Sequence, residues 1–172
     1  MLALNGDAVP NEITEKWIFC KENAHPKAIE LLQEDFYWDA VDDFAPFGSD
    51  NGHDMLYMYR NWRIEHPDGS IDDFILRYEQ LWGFPFKHLF ELDVNKIDSF
   101  QDGSYYFISI DKGLIALCFA GLVLDGKIDA DTRKLALHAY QRQLSDEVKV
   151  LYDSEERTRK FEMGYELVKG YH

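Results

Sequence analysis

The chain is poor in positive charge, in cysteine and in long apolar runs, and each shortage closes off a class of function. Against 32 Asp and Glu there are 18 Lys and Arg, a net charge of −14. That balance repels a phosphate backbone or an anionic lipid surface, so neither nucleic acid nor membrane is an expected partner. It fits plain solubility, or an acidic face offered to a basic protein. The two cysteines, Cys20 and Cys118, lie far apart, and Cys118 sits inside an apolar run, so buried free thiols are expected rather than a disulfide. That run, Leu114–Leu124, is the longest in the chain and about half of the ~20 residues a membrane-spanning helix needs. It reads as a buried core helix.

The first ten residues lack the cationic start and longer apolar stretch of an export signal, so a cytoplasmic location is expected. There is no Gly-rich phosphate cradle, no Gly-x-Ser-x-Gly elbow, no Cys-x-x-Cys pair and no dinucleotide fingerprint. Enzymes built on those devices are thereby disfavoured.

What the chain does have is apolar residues in helical register. Its length suits one core, and no repeat, linker or low-complexity tract divides residues 1–172. Residues 1–23 are irregular, with Trp17-Ile18-Phe19 as a short strand or a segment clamped to the core. Pro26 starts a helix that buries Ala28, Ile29, Leu31 and Leu32 and runs to about Glu34. A second helix, capped by Asp50 or Asn51, carries Met55, Leu56, Tyr59 and Trp62 and ends before Pro67. Ser70, with Asp73 three residues on, opens a third that stops at Gly83-Phe84-Pro85. Residues 86–100 fit neither period and read as loop with a short helix. Ser104–Ile110, aromatic and β-branched, is the best strand candidate, though it could equally extend the helix that follows.

Asp111–Leu124 and Asp129–Leu144 form an apolar helical hairpin, and residues 145–172 read as one docked amphipathic helix. The fold expected is therefore mainly α: a single-domain irregular helical bundle around that hairpin, with at most one or two short strands.

Between the first two helices lies the stretch Asp39–Asp54, which packs five Asp and one His around Pro46, Gly48 and Gly52, and follows Phe36-Tyr37-Trp38. Two readings from different classes attach to it. In the first, Tyr37, Trp38 and Phe47 form an exposed aromatic cluster rimmed by Asp39, Asp42 and Asp43. Aromatic anchors with complementary charge make tight interfaces, so this surface would bind a basic protein without catalysis or cofactor, an immunity protein against a basic toxin being one version. In the second, Asp50, His53 and Asp54, spaced three and four apart, ligate a divalent metal with help from His25 or Asp39, and the metal activates water for hydrolysis. Against the second stands a structural explanation of the same residues as helix caps and turn formers.

Asp125-Gly126-Lys127-Ile128-Asp129 is no calcium loop, because Lys127 holds a ligand position and Ala136 stands where the bidentate Glu is required. His66 and His88 have no partner at ligand spacing.

Ala24-His25-Pro26, Phe36-Tyr37-Trp38 and above all Ala45–Asp54, with the hairpin and its Gly126-Lys127-Ile128-Asp129 turn, resemble the YfeS-like small bacterial proteins. The resemblance runs from residue 24 to about 144. It implies a bacterial cytoplasmic protein and carries no activity with it.

Overall fold

The computed structural model describes residues 13–82 and 104–172. Among them it has seven α-helices and no strand: α1 (Pro26–Leu31), α2 (Asp50–Glu65), α3 (Ile71–Trp82), α4 (Ser104–Asp125), α5 (Ala130–Gln143), α6 (Asp146–Leu151) and α7 (Glu155–Gly170). Short 3-10 turns cover Lys21–Asn23 and Asp35–Trp38. No described helix is long and apolar enough to cross a membrane.

α4 is the axis. From Leu114 to Leu124 every residue is buried, so the helix has no solvent face and must be sheathed on all sides. α2 and α5 pack along it, α1 touches it, and α7 lies on the outer side of α5. Phe47, Met55 and Leu56 come from the segment before α2 and from α2 itself, and each is at most 2% exposed. Leu135, Ala136, Ala139 and Tyr140 present the matching face of α5.

The helix starts follow local chemistry. His25 caps α1 by accepting from the Lys27 amide at 3.2 Å, with Pro26 in the first turn. Ser70 and Asp73 form the reciprocal capping box: the Asp73 amide donates to Ser70 Oγ at 3.2 Å, and the Ser70 amide donates to Asp73 Oδ2 at 3.3 Å. Asp129 accepts from the Asp131 amide at 2.8 Å and caps α5. α2 is capped one residue earlier than its sequence suggested. Ser49 accepts from Gly52 at 3.2 Å, and Asp50 is already inside the helix.

Two further expectations are corrected. Ser104–Ile110 is not a strand; the other reading holds, and it extends the helix that follows as the first part of α4, the β preference of its aromatic and branched residues being weak. Residues 145–172 are two helices rather than one, because Tyr152 and Asp153 leave helical geometry and Ser154 caps α7 anew by accepting from Arg157. The loop expected at 86–100 lies outside the described residues.

The turn between α4 and α5 depends on Gly126. Its φ is +70°, a conformation that costs an L-residue about 1–2 kcal/mol, and a Cβ there would come within 2.3 Å of the His25 ring. The His25 amide also donates to the Val123 carbonyl at 2.8 Å, so this turn is where the start of α1 is fastened to α4. Gly126→Ala is expected to destabilise by about 2–4 kcal/mol in urea denaturation. The loss should be smaller in a His25→Ala background, because only the backbone strain then remains. Equal losses in both backgrounds would show that the ring contact contributes nothing.

Candidate acidic interaction surface

The segment from Glu34 to Asp54 contains no Lys or Arg. Several of its apolar residues enter the core: Tyr37, Ala45 and Phe47 are at most 5% exposed. Phe47 meets the Phe19 ring edge-on at 4.8 Å, and Tyr37 stacks on Phe119 of α4 at 5.7 Å. Burial pushes the Tyr37 hydroxyl well above its ordinary range. Trp38 is half-buried; it donates Nε1–H to the Leu32 carbonyl at 2.9 Å and stacks on Phe19. The exposed aromatic cluster expected from the sequence is therefore not formed. Tyr37 gains more by packing on Phe119 of α4, and Phe47 and Trp38 by packing on Phe19, than by facing water.

The carboxylates do the opposite. Glu34, Asp35, Asp39, Asp43, Asp50 and Asp54 are all exposed. Asp39 tightens its own turn by accepting from the Val41 and Asp42 amides at 2.9 and 3.2 Å. Asp42 differs from the rest: it accepts from the Phe44 amide at 2.9 Å and from Lys160 of α7 at 2.5 Å. Lys160 also reaches Glu156 at 2.6 Å, and these two hydrogen-bonded carboxylates hold its amine above the usual lysine range. Gly48 lets the loop close on itself, because a Cβ there would stand 1.8 Å from the Asp42 carbonyl oxygen. The tip residue between the acids, Val41, is 87% exposed.

Lys112 of α4 lies half-buried under this surface. Burial lowers its amine while Asp43 and Asp50 act to raise it. Lys112 and Lys160 are the residues that sequence reading passed over. Neither has a sequence signal as a counter-ion to the loop, since Lys160 stands 118 positions from Asp42.

Asp50, His53 and Asp54 occupy the exposed first turns of α2, and the His53 ring turns onto Tyr57 at 4.7 Å. With Asp39 engaged in its own turn and His25 capping α1, no shell closes around them among the described residues. Among the described residues, the one group of three ligand-type side chains with oxygens within 4.8 Å of one another is Asp72, Asp129 and Asp131. This group arises where the N-termini of α3 and α5 meet, and acids suit both positive helix ends.

Beside that group opens a cleft of about 390 Å³, lined by Tyr59, Arg63, Ser70, Asp72, Asp125 and Asp129, among others. Asp125 is already neutralised there: it accepts from Tyr59 Oη at 2.7 Å and from Arg63 Nε at 3.1 Å. Arg63 then donates to the His66 and Pro67 carbonyls at 3.0 and 2.7 Å and closes the end of α2. The sequence matches no protein-family model, no curated protein and no solved structure.

Burial, then Asp131 and Asp129, raise the Asp72 carboxyl above its ordinary range. A carboxyl raised in the folded state binds its proton more tightly there than in the unfolded chain, so its contribution to stability falls as pH rises through the folded pKa. Asp72→Asn removes that loss. The stability of the variant relative to wild type is expected to grow from about pH 3 to about pH 6, followed by urea denaturation across that range. A difference independent of pH would show that the three carboxylates do not interact.

Proposed function

We propose that the chain is a non-enzymatic interaction module that binds a basic protein partner through the surface of residues 34–54. The observation that carries this reading is the sorting of that segment: rings inward, carboxylates outward. Six acids project from the loop and the first turns of α2, held by Phe47 and Tyr37 in the core and by Lys160 at the side. A surface whose backbone is already fixed loses little entropy on binding, and a field of one sign raises the encounter rate with a cationic partner.

The apolar contact in this reading is Val41, flanked by Asp39 and Asp43, rather than an aromatic cluster. An immunity-type role against a basic toxin is a concrete version of the same proposal. A bacterial, cytoplasmic setting belongs to it too, and rests on the resemblance of residues 24–144 to YfeS-like proteins. The metal-hydrolase reading of Asp50, His53 and Asp54 has no geometric support of this kind.

The test uses a fluorescent Lys/Arg-rich peptide as probe, with binding followed by anisotropy at several salt concentrations. Asp39→Lys with Asp43→Lys is expected to weaken binding about tenfold at low salt, and the difference should shrink as salt is added. Glu162→Lys with Glu166→Lys, an equal charge change on exposed positions of α7, is the control and should cost much less. Equal losses from the two pairs would mean that the probe senses net charge alone, and would overturn the assignment of this face.

A further inference from the structure

We propose that Asp111, Gln143 and Arg157 form a protonation-sensitive latch that holds α7 on the bundle, with the Gln143 side-chain amide as its relay. The proposal is independent of the acidic-surface reading.

Asp111 lies in α4 with no exposed surface. Its Oδ1 accepts from Arg142 Nη2 at 2.5 Å and Nε at 3.2 Å, and its Oδ2 accepts from Arg142 Nε at 3.3 Å and Gln143 Nε2 at 2.8 Å. Every described group that reaches this carboxylate donates, and a guanidinium has no capacity to accept. The bond pattern is therefore that of an ionised Asp111.

Gln143 is equally constrained from its other side. Its Oε1 accepts from Arg157 Nη2 at 2.7 Å, and its backbone carbonyl accepts from Arg157 Nη1 at 3.1 Å. The amide thus has its donor toward an acceptor and its acceptor toward a donor. Turning it over would set donor against donor at Arg157.

A proton on Asp111 reverses the demand. The new O–H needs an acceptor, and among the described partners of Asp111 the one that can supply it is Gln143 Oε1, after rotation of the amide. Nε2 then faces Arg157, which loses its side-chain partner on α5. Arg157 is 3% exposed and packs over the Tyr152 and Phe161 rings at 4.7 and 4.5 Å, so the lost bond cannot be replaced by water without moving the start of α7. Lys160, one turn further along, binds Asp42, so movement of α7 also loosens the acidic loop.

The charges around Asp111 are few among the described residues. Arg142 acts on it directly from α5, where burial, then Arg142 and Lys134, lower the His138 imidazole one turn before Arg142, and Arg157 of α7 reaches Asp111 through Gln143. On α4 itself the neighbour is Lys112, whose amine faces Asp43, Asp50 and Arg157. Burial pushes the Asp111 carboxyl up to about 6, with Arg142 and Gln143 opposing. Because that lies above the value for an unfolded chain, the folded protein takes up the proton first on acidification. The contribution of Asp111 to stability is full below the ordinary Asp range and declines as pH rises through about 6. The latch therefore opens within the folded state and not through global unfolding.

Hydrogen exchange of the full chain tests this, corrected for the intrinsic dependence of exchange on pH. Protection of the α7 amides is expected to fall roughly tenfold between about pH 7.5 and about pH 5 while that of α4 holds. Asp111→Asn, which offers a donor and an acceptor at every pH, should show the lower protection at both. Asp42→Asn should keep the step, which separates it from the Lys160 pair.

Equal wild-type protection at the two pH values, or a step that survives in Asp111→Asn, would overturn the proposal. Should Asp111→Asn not fold, carbon and nitrogen NMR of the wild type decides. The Asp111 carboxyl and the Gln143 side-chain amide must titrate with a common midpoint, and a Gln143 amide that does not move refutes the relay.

Discussion

Everything in this fold answers to the burial of α4. A helix that is apolar around its whole circumference gains about 1.5–3 kcal/mol for each large side chain taken out of water, and it can realise that gain only if its neighbours surround it. α2 and α5 supply two sides, while α1 and the segment carrying Phe47 supply more. Cys118 is one consequence: at the middle of this helix its thiol is fully buried and pushed well above its ordinary range, which makes it an inert packing group.

The same constraint makes Asp111 costly. A carboxylate in this environment is tolerable only with its oxygens occupied, and Arg142 and Gln143 occupy them. Removing one partner of such a pair costs about 3–5 kcal/mol, because the other charge is left buried. The packing of α7 follows from that network, since Arg157 satisfies the remaining face of Gln143, while Arg133 of α5 donates to the Val168 and Lys169 carbonyls at the far end of α7. α7 is thus held at both ends by arginines, one carried by α7 and one by α5, and it in turn carries Lys160 to Asp42.

The helical content was legible because caps and periodicity are local. His25 with Pro26, Ser70 with Asp73, and Asp129 each use bonds to residues two or three positions away, and the apolar spacing of α2 shows its buried face directly. The strand reading of Ser104–Ile110 failed because intrinsic preference is weak beside the packing of a long helix. The aromatic surface failed for a related reason. Tyr37 and Phe47 look the same in a sequence whether they face water or a core, and only the approach of Phe19 and Phe119 decides it.

The sequence by itself determined the helical class, the central hairpin, the starts of α1, α3 and α5, and the concentration of acid in Asp39–Asp54, because those depend on composition and on neighbours within one or two turns. Tertiary structure alone decided which acids are free and which are paired. Asp42 is joined to Lys160, Asp125 to Tyr59 and Arg63, and Asp111 to Arg142, across 118, 66, 62 and 31 positions respectively. A charge declares its sign in the sequence, but its partner and its exposure are set by which helices are driven together when α4 is buried.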